Sequence, residues 1–198
     1  MNYSFQEIEA LHKKYAPSDL VFDVVFTHCQ IVKDIAEQLI VKNRLNVDVD
    51  LVRTGCLLHD IGVYPLFDAD NHKLVGRAYL THGVEGEAIL KAEDMPRKLW
   101  HIASHHTGVG LTAADITSGN LPLPVKDYFA ETIEEELIMY ADKFHSKTTP
   151  PYFNSFEWYK QDIAQFGEDK VRKFVAMAEK FGLPDLEILS TKYGFAIR

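Results

Sequence analysis

The sequence is poor in cysteine and has no excess of positive charge, and each of these features argues against particular kinds of site or partner. Cys29 and Cys56 are the only cysteines in 198 residues and form no CxxC motif, which argues against a disulfide framework or a zinc knuckle. Both lie in apolar helical patterns, so we expect buried packing thiols. The formal net charge of −8 argues against nucleic acid or an anionic membrane as the main partner. A small anionic substrate stays open, because a bound metal can reverse the local field.

Long hydrophobic runs are also missing. No apolar stretch approaches the ~20 residues that cross a bilayer, and no basic region followed by an apolar run opens the chain. These absences predict a cytoplasmic protein without a membrane partner. With 46% hydrophobic residues and no internal repeat, residues 1–198 are expected to form a single domain.

Strand patterns are scarce, whereas apolar residues recur at the spacing of three and four that marks helices. One long helix is predicted over about 18–42, with His28 on its apolar face. The next helix carries Leu58 and His59 and breaks at Gly62. Further helices are expected over 82–92, from Pro96 to about 105, and from the capping residue Thr132 through Asp142. The sequence therefore predicts an all-α fold, with an irregular segment over 63–80.

Histidine and aspartate residues at the ends or on the apolar faces of these helices are candidate metal ligands. Imidazole and carboxylate together suit zinc, iron, manganese or cobalt. The candidates exceed what one ion needs, and a carboxylate can bridge two cations of a two-metal site. Spacing alone leaves their convergence open. The candidates are His28, His59, Asp60, His82, His105 or His106, and Asp142.

The order of these residues resembles the HD superfamily of metal-dependent phosphohydrolases. Leu58-His59-Asp60-Ile61-Gly62 is similar to its HDIG variant, and the stretches 81–86, 105–110 and 121–142 are similar to small stand-alone members. The resemblance covers about residues 20–148. It implies an HD-domain helical bundle with additional C-terminal helices over about 154–193, which match no motif.

The resemblance implies which residues hold metal. His28, His59, Asp60 and Asp142 would bind one ion, and Asp60 would bridge to a second ion held by His82 and a histidine of the 105/106 pair. His106 is favoured, because in related sequences the ligand directly precedes the turn. The expected cofactors are two divalent ions per chain, iron or manganese before magnesium, cobalt, nickel or zinc.

The resemblance also implies hydrolysis of a small phosphorylated molecule, with a nucleotide favoured, by water activated between the two ions. Asp60, His105 and Lys143 are the expected catalytic residues, and Lys147 and Arg77 are further candidates for binding phosphate. His145 has no place in the pattern and is expected to be a surface or packing residue, but its position three residues past Asp142 leaves open that it faces the site. Two alternatives stay open: a di-iron oxygenase that cleaves a C–C or C–P bond, and a non-catalytic nucleotide-binding module. The sequence leaves the substrate, the metal and the oligomeric state undetermined.

Overall fold

A computed structural model describes residues 3–67 and 76–198 of the chain. The predicted all-α fold is confirmed, since the described residues form ten α-helices and one very small sheet. Three 3-10 segments join them, at Ile61–Leu66, Gly76–Thr81 and Ala164–Phe166. The helices are α1 (Phe5–Tyr15), α2 (Asp19–Asn43), α3 (Val49–Leu58), α4 (His82–Ala92), α5 (Arg97–His105), α6 (Ala113–Ser118), α7 (Ile133–Asp142), α8 (Phe156–Ile163), α9 (Glu168–Phe181) and α10 (Leu186–Tyr193).

Helix α2 lies at the centre of the bundle and packs against α1, α3, α7 and α9. Ser18 caps its start by accepting a hydrogen bond from the Val21 N–H, and Arg44 ends it in the left-handed conformation. Its apolar stripe, which includes Val25, Ile31 and Ile35, is fully buried. Each such side chain contributes about 1.5–3 kcal/mol to folding. The same stripe takes His28 into the interior.

The chain folds sharply where α3 ends. His59 is the C-cap of α3, and Asp60 precedes the 3-10 segment Ile61–Leu66. At Gly62 the chain meets α4 so closely that a Cβ atom there would lie 2.0 Å from the His82 carbonyl oxygen and 2.1 Å from the Gly86 nitrogen. Glycine at this position therefore allows the start of α4 to lie directly against the turn that carries Asp60.

The helices begin with different kinds of cap. Ser4 and Glu7 form a capping box at the start of α1. Thr132 caps α7, but the Glu135 carboxylate accepts from the Glu131 N–H and contacts the buried His101 ring, so the reciprocal half of the box is not made. Thr81 precedes α4 without a side-chain cap bond, because a 3-10 segment runs directly into that helix.

A three-stranded sheet, which the sequence patterns did not predict, joins the segment after α7 to residues near 197. Strand β1 (His145–Ser146) pairs antiparallel with β2 (Tyr152–Phe153), and β2 pairs parallel with β3 (Ala196–Ile197). The sheet thereby fixes the C-terminal segment beside the residues that follow Asp142.

The sequence predicts that the two cysteines are buried packing residues. Both are buried, and burial raises the pKa of each thiol. Among the described residues, no helix combines the length and apolar character that crossing a bilayer requires.

Candidate metal centre

The structure brings the predicted ligand side chains together from five separate parts of the fold. His28 comes from the middle of α2, His59 and Asp60 from the turn after α3, and His82 from the first residue of α4. His106 directly follows α5, and Asp142 ends α7. Five of the six residues are at most 4% exposed, and the Asp142 side chain is 16% exposed.

One half of the cluster is formed by His28 and His59 with an oxygen from each aspartate. The His28 Nε2 atom lies 3.2 Å from Asp60 Oδ2 and 3.0 Å from Asp142 Oδ1. The His59 Nε2 atom lies 3.6 Å and 3.5 Å from the same two oxygens. Ligands bound about 2.1 Å from a metal are separated by roughly 3.0–3.4 Å in octahedral or tetrahedral geometry, so these spacings suit a common ion.

The other half is formed by His82 and His106 around the second oxygen of Asp60. Their Nε2 atoms are 2.9 Å apart, and they lie 3.6 Å and 3.5 Å from Asp60 Oδ1. That buried oxygen has no hydrogen-bond partner within the described part of the chain. Asp60 therefore offers one oxygen to each half of the cluster, which is the arrangement of a bridging carboxylate.

Main-chain carbonyl groups set the tautomers of three of the histidines. The Nδ1 atoms of His59, His82 and His106 lie 2.7, 2.7 and 2.8 Å from the carbonyl oxygen of the residue three positions earlier. A carbonyl only accepts, so Nδ1 carries the proton and Nε2 presents its lone pair to the cluster. The lone pairs of His82 and His106 thus face each other, and a cation between them would remove the repulsion. This donor set fits divalent metal ions.

Burial and neighbouring charge determine which ring is protonated without metal. Burial and the adjacent His106 lower the pKa of His82 to about 3, and burial also lowers the pKa of His106. Burial opposes a charge on His59, but Asp60 outweighs it and raises the pKa of His59 well above its ordinary value. A proton on His59 Nε2 and a metal ion therefore compete for the same position.

His145 determines the orientation of His28 and lies outside the predicted set. The two Nδ1 atoms are 2.8 Å apart, the rings are stacked, and His145 is 5% exposed. A metal ion can bind His28 Nε2 only if that atom carries a lone pair, so the ring proton must lie on Nδ1. His28 Nδ1–H then donates to His145 Nδ1. The sequence signal for this partner is its separation of three residues from Asp142; it opens strand β1, directly after the turn that follows α7.

Two lysines neutralise the two carboxylates. Lys147 pairs with Asp60 Oδ2, and its ammonium lies 5.4 Å from the centre of the Tyr79 ring. Lys143 Nζ lies 2.6 Å from Asp142 Oδ2 and donates to the His106 carbonyl at 3.1 Å. Burial would raise the pKa of both carboxyl groups, but these ammonium groups hold them well below the ordinary value. Both aspartates are therefore ionised and fit to bind cations.

His105 lies away from the cluster. Its ring stacks on His101 with centroids 3.7 Å apart and contacts Tyr128, and its Nδ1 lies 2.7 Å from Ser104 Oγ. Consecutive helical residues point about 100° apart, so His106 faces the cluster and His105 does not. The geometry thus gives the expected catalytic role of His105 no support. The side chain of Arg77 lies outside the described residues.

A cavity of about 460 Å³ opens beside the cluster. This volume lies in the range of small-molecule sites. Asp60, His82, His106 and Asp142 line one side together with both lysines. Residues of the C-terminal part of the chain also line the cavity, among them Asn154, Trp158, Tyr159, Asp162 and Arg198.

Comparison with known proteins identifies the family. The model of the HD domain matches residues 25–147, a range that includes all six clustered side chains. The chain belongs to the HD domain family. An uncharacterized protein of Methanocaldococcus jannaschii is 38% identical to it over 127 residues, which are 63% of this chain and 68% of that protein.

Two tRNA (cytidine(56)-2′-O)-methyltransferases are also similar to the chain. Those of Picrophilus torridus and Thermoplasma volcanium are each 33% identical, over 63% and 65% of this chain. The matched part is 32% of each methyltransferase, so this HD chain corresponds to about a third of their length.

Among solved structures, the HD domain of the L. monocytogenes phosphodiesterase PgpH has the same fold. It aligns with a TM-score of 0.54 over 94% of this chain and 98% of its own, at 19% identity. The same domain in complex with cyclic-di-AMP aligns with a TM-score of 0.53 at 19% identity, over 94% of this chain and 97% of that one.

Proposed function

We propose that this HD protein is a metal-dependent phosphohydrolase that cleaves a small phosphoester, with a nucleotide as the favoured substrate class. The observation that carries the proposal is the position of Asp60, whose two oxygens face separate pairs of histidines at 3.2–3.6 Å. That arrangement suits two divalent ions, for which we favour iron or manganese. Family membership supports metal-dependent phosphohydrolysis in general terms. The neighbour bound to cyclic-di-AMP supports a nucleotide.

The residues of the chain have distinct roles in this proposal. Bound divalent ions would polarise phosphoryl oxygens and activate water. His28, His59 and Asp142 would hold one ion, His82 and His106 the other, and Asp60 both. Lys143 and Lys147 keep the two carboxylates ionised, and both line the cavity. We assign these lysines to binding phosphoryl oxygens as well, since a charged donor beside the metal centre stabilises developing negative charge.

Metal content is the first test. Elemental analysis of the purified protein, reconstituted with iron or manganese, should give about two metal ions per chain for the wild type. The variant His82→Ala should retain about one, because it loses one of the two histidines of the second half. The variant His105→Ala removes a neighbouring imidazole that lies outside the cluster and should match the wild type. One ion in all three proteins would eliminate the two-metal centre.

Hydrolysis is the second test. Under anaerobic conditions, the manganese-loaded protein should release phosphate from p-nitrophenyl phosphate, and Asp60→Ala should lower kcat/KM at least about a thousandfold by removing the bridging ligand. Circular dichroism would verify that the helices remain. A product that forms with iron and dioxygen but never anaerobically would instead indicate oxygenase chemistry. Binding of nucleotides without turnover under either condition would indicate a binding module.

A further inference from the structure

Part of the cavity beside the metal cluster is built by residues outside the matched family range. That range ends at residue 147, whereas Asn154, Trp158, Tyr159, Asp162 and Arg198 line the cavity beyond it. Asn154 lies between β2 and α8, the next three of these residues lie on α8, and Arg198 follows β3. A substrate that extends from the metal centre into this part of the cavity would contact them.

Arg198 is held in one orientation within this wall. Its main-chain N–H donates to the Phe153 carbonyl at 2.9 Å, and its Nε donates to Asn154 Oδ1 at 2.8 Å. The guanidinium carbon lies 3.6 Å from the centre of the Trp158 ring. A guanidinium stacked on an aromatic ring keeps its donors in the plane, so less entropy is lost when an anion binds.

Asn154 connects this arginine to the metal side of the cavity. It is 5% exposed, its Nδ2 donates to the Lys143 carbonyl at 2.8 Å, and its N–H donates to the Phe144 carbonyl at 3.0 Å. Asn154 therefore links the Arg198 guanidinium by hydrogen bonds to residues 143–144, which directly follow Asp142. These bonds hold Arg198 in position relative to the metal cluster.

The cations that line the cavity differ in their partners. Lys143 and Lys147 are each paired with a carboxylate of the metal cluster. Arg198 forms no ion pair with an Asp or Glu side chain of the described residues, and its terminal nitrogens make no hydrogen bond to them; its main-chain oxygen accepts from the Ser155 N–H at 2.8 Å. Asp162 lines the same wall without pairing with it. An oriented guanidinium with two free donor groups is suited to a phosphate or a carboxylate.

We propose that Arg198 determines substrate specificity by binding a second anionic group, at the end of the substrate remote from the scissile phosphate. The substrate class is then a phosphoester that carries another phosphate or a carboxylate. This inference rests on the proposed hydrolase function, which supplies the first phosphate. Arg198 contacts no reacting atom in this arrangement, so it acts on selectivity.

Three probes with one carbon skeleton test the inference. Glucose 6-phosphate carries one anionic group, 6-phosphogluconate adds a carboxylate, and glucose 1,6-bisphosphate adds a phosphate. The manganese-loaded wild type should show a kcat/KM at least about tenfold higher for one of the doubly anionic probes than for glucose 6-phosphate, the lower end of what charged hydrogen bonds supply. Arg198→Gln should remove that ratio, and Arg198→Lys should leave part of it. The probe that is preferred identifies the second group as phosphate or carboxylate.

Arg172→Gln is the matched control, since Arg172 is an exposed arginine on α9 away from the cavity. It should keep the wild-type ratio. A wild type without preference, or a ratio that survives Arg198→Gln, would overturn the inference.

Failure of the hydrolase proposal is recognised separately, by the absence of phosphate release from p-nitrophenyl phosphate with any divalent ion. In that case calorimetry on the metal-loaded proteins decides the inference. The wild type should bind a doubly anionic probe at least about tenfold more tightly than glucose 6-phosphate, and Arg198→Gln should not. Equal affinities in the two proteins would refute it.

Discussion

At the scale of single residues, the clustered histidines are oriented in two different ways. His59, His82 and His106 each place Nδ1 on a carbonyl oxygen three residues earlier, so their own helix ends fix the ring. His28 lies within a continuous helix, whose carbonyl groups are already used by the backbone. Its Nδ1 therefore needs a partner from elsewhere, and His145 provides it.

Replacing His145 with phenylalanine should weaken metal binding without unfolding the protein. Loss of the hydrogen bond to His28 frees its ring and tautomer, which typically costs about 10–100-fold in metal affinity. The variant removes the buried His145 Nε2, which has no partner among described residues, but it also leaves the buried His28 Nδ1 without its partner. The melting temperature of the metal-free protein should therefore fall by the equivalent of about 1–3 kcal/mol at most. Competition with a chelator measures the first, and a thermal melt measures the second.

The matched control for this variant is His105→Phe, which alters a buried histidine outside the cluster. It should bind metal as the wild type does. If His145→Phe kept wild-type affinity, the orientation of His28 would depend on the packing of α2 alone.

Some residues of the cluster could be predicted from sequence motifs, whereas others depend on how the chain folds. Ordered motifs indicated His28, His59, Asp60 and Asp142, and the structure brings these side chains together. The role of His145 depends on the path of the chain after α7, which no apolar spacing records. A catalytic role is predicted for His105 because it adjoins the ligand candidate His106 in the sequence, but a helix points adjacent residues in different directions, and the structure places its ring against His101.

At the scale of elements, the approach of α4 to the turn after α3 decides where the second half of the cluster forms. Gly62 lies against the backbone of His82 and Gly86, so the first turn of α4 is positioned by main-chain contact. A backbone neighbour cannot rotate away as a side chain can. The position of the His82 ring therefore depends on a glycine twenty residues earlier.

Gly62→Ala should accordingly destabilise the fold and weaken the second metal position. The added Cβ would lie 2.0 Å from the His82 carbonyl oxygen, so α4 must shift. We expect a loss of about 3 kcal/mol or more in the free energy of unfolding, at the upper end of overpacking effects. Urea unfolding measures this loss, and the metal content should fall from about two ions toward one.

Gly86→Ala serves as the graded comparison, because its nearest obstacle is the Ala103 methyl group at 3.2 Å. It should lower the free energy of unfolding clearly less than Gly62→Ala does. Equal losses in the two variants would show that α4 shifts freely against the turn.

The elements themselves were predicted to different extents. Helices with apolar residues at intervals of three and four, such as α2 and α7, follow directly from the sequence. The sheet does not, because strands of two residues are too short to show alternation and β2 pairs with a segment more than forty residues away. The contact of the Glu135 carboxylate with His101 could not be predicted either, since His101 lies in another helix.

At the scale of the whole molecule, buried neutral histidines make stability dependent on pH. Burial lowers the pKa of His12 to about 4, and this fully buried ring lies 2.7 Å from both the Leu57 carbonyl oxygen and the Tyr64 hydroxyl. In the unfolded chain His12 takes up a proton near its ordinary pKa of about 6.5. In the folded chain the same ring is protonated only when the pH falls to about 4. Stability should therefore be complete above pH 6.5 and decline as the pH falls toward 4.

The measurement is the free energy of unfolding of the metal-free protein in urea at several pH values between 7 and 4.5. The His12 contribution amounts to at most about 3 kcal/mol, from the size of its shift. His12→Phe removes the titrating group, so its stability should change less steeply with pH over this range. Parallel curves for the two proteins would show that other groups, such as His105, carry the dependence.

The three-stranded sheet also has a consequence for how the protein can diverge from its relatives. The family model ends at residue 147, and the sheet joins that part to residues 152–153 and 196–197. Every clustered aspartate and histidine belongs to the first part, whereas part of the cavity lining, including Trp158 and Arg198, belongs to the second. Substitutions in the second part can therefore reshape the cavity while the clustered side chains stay in place.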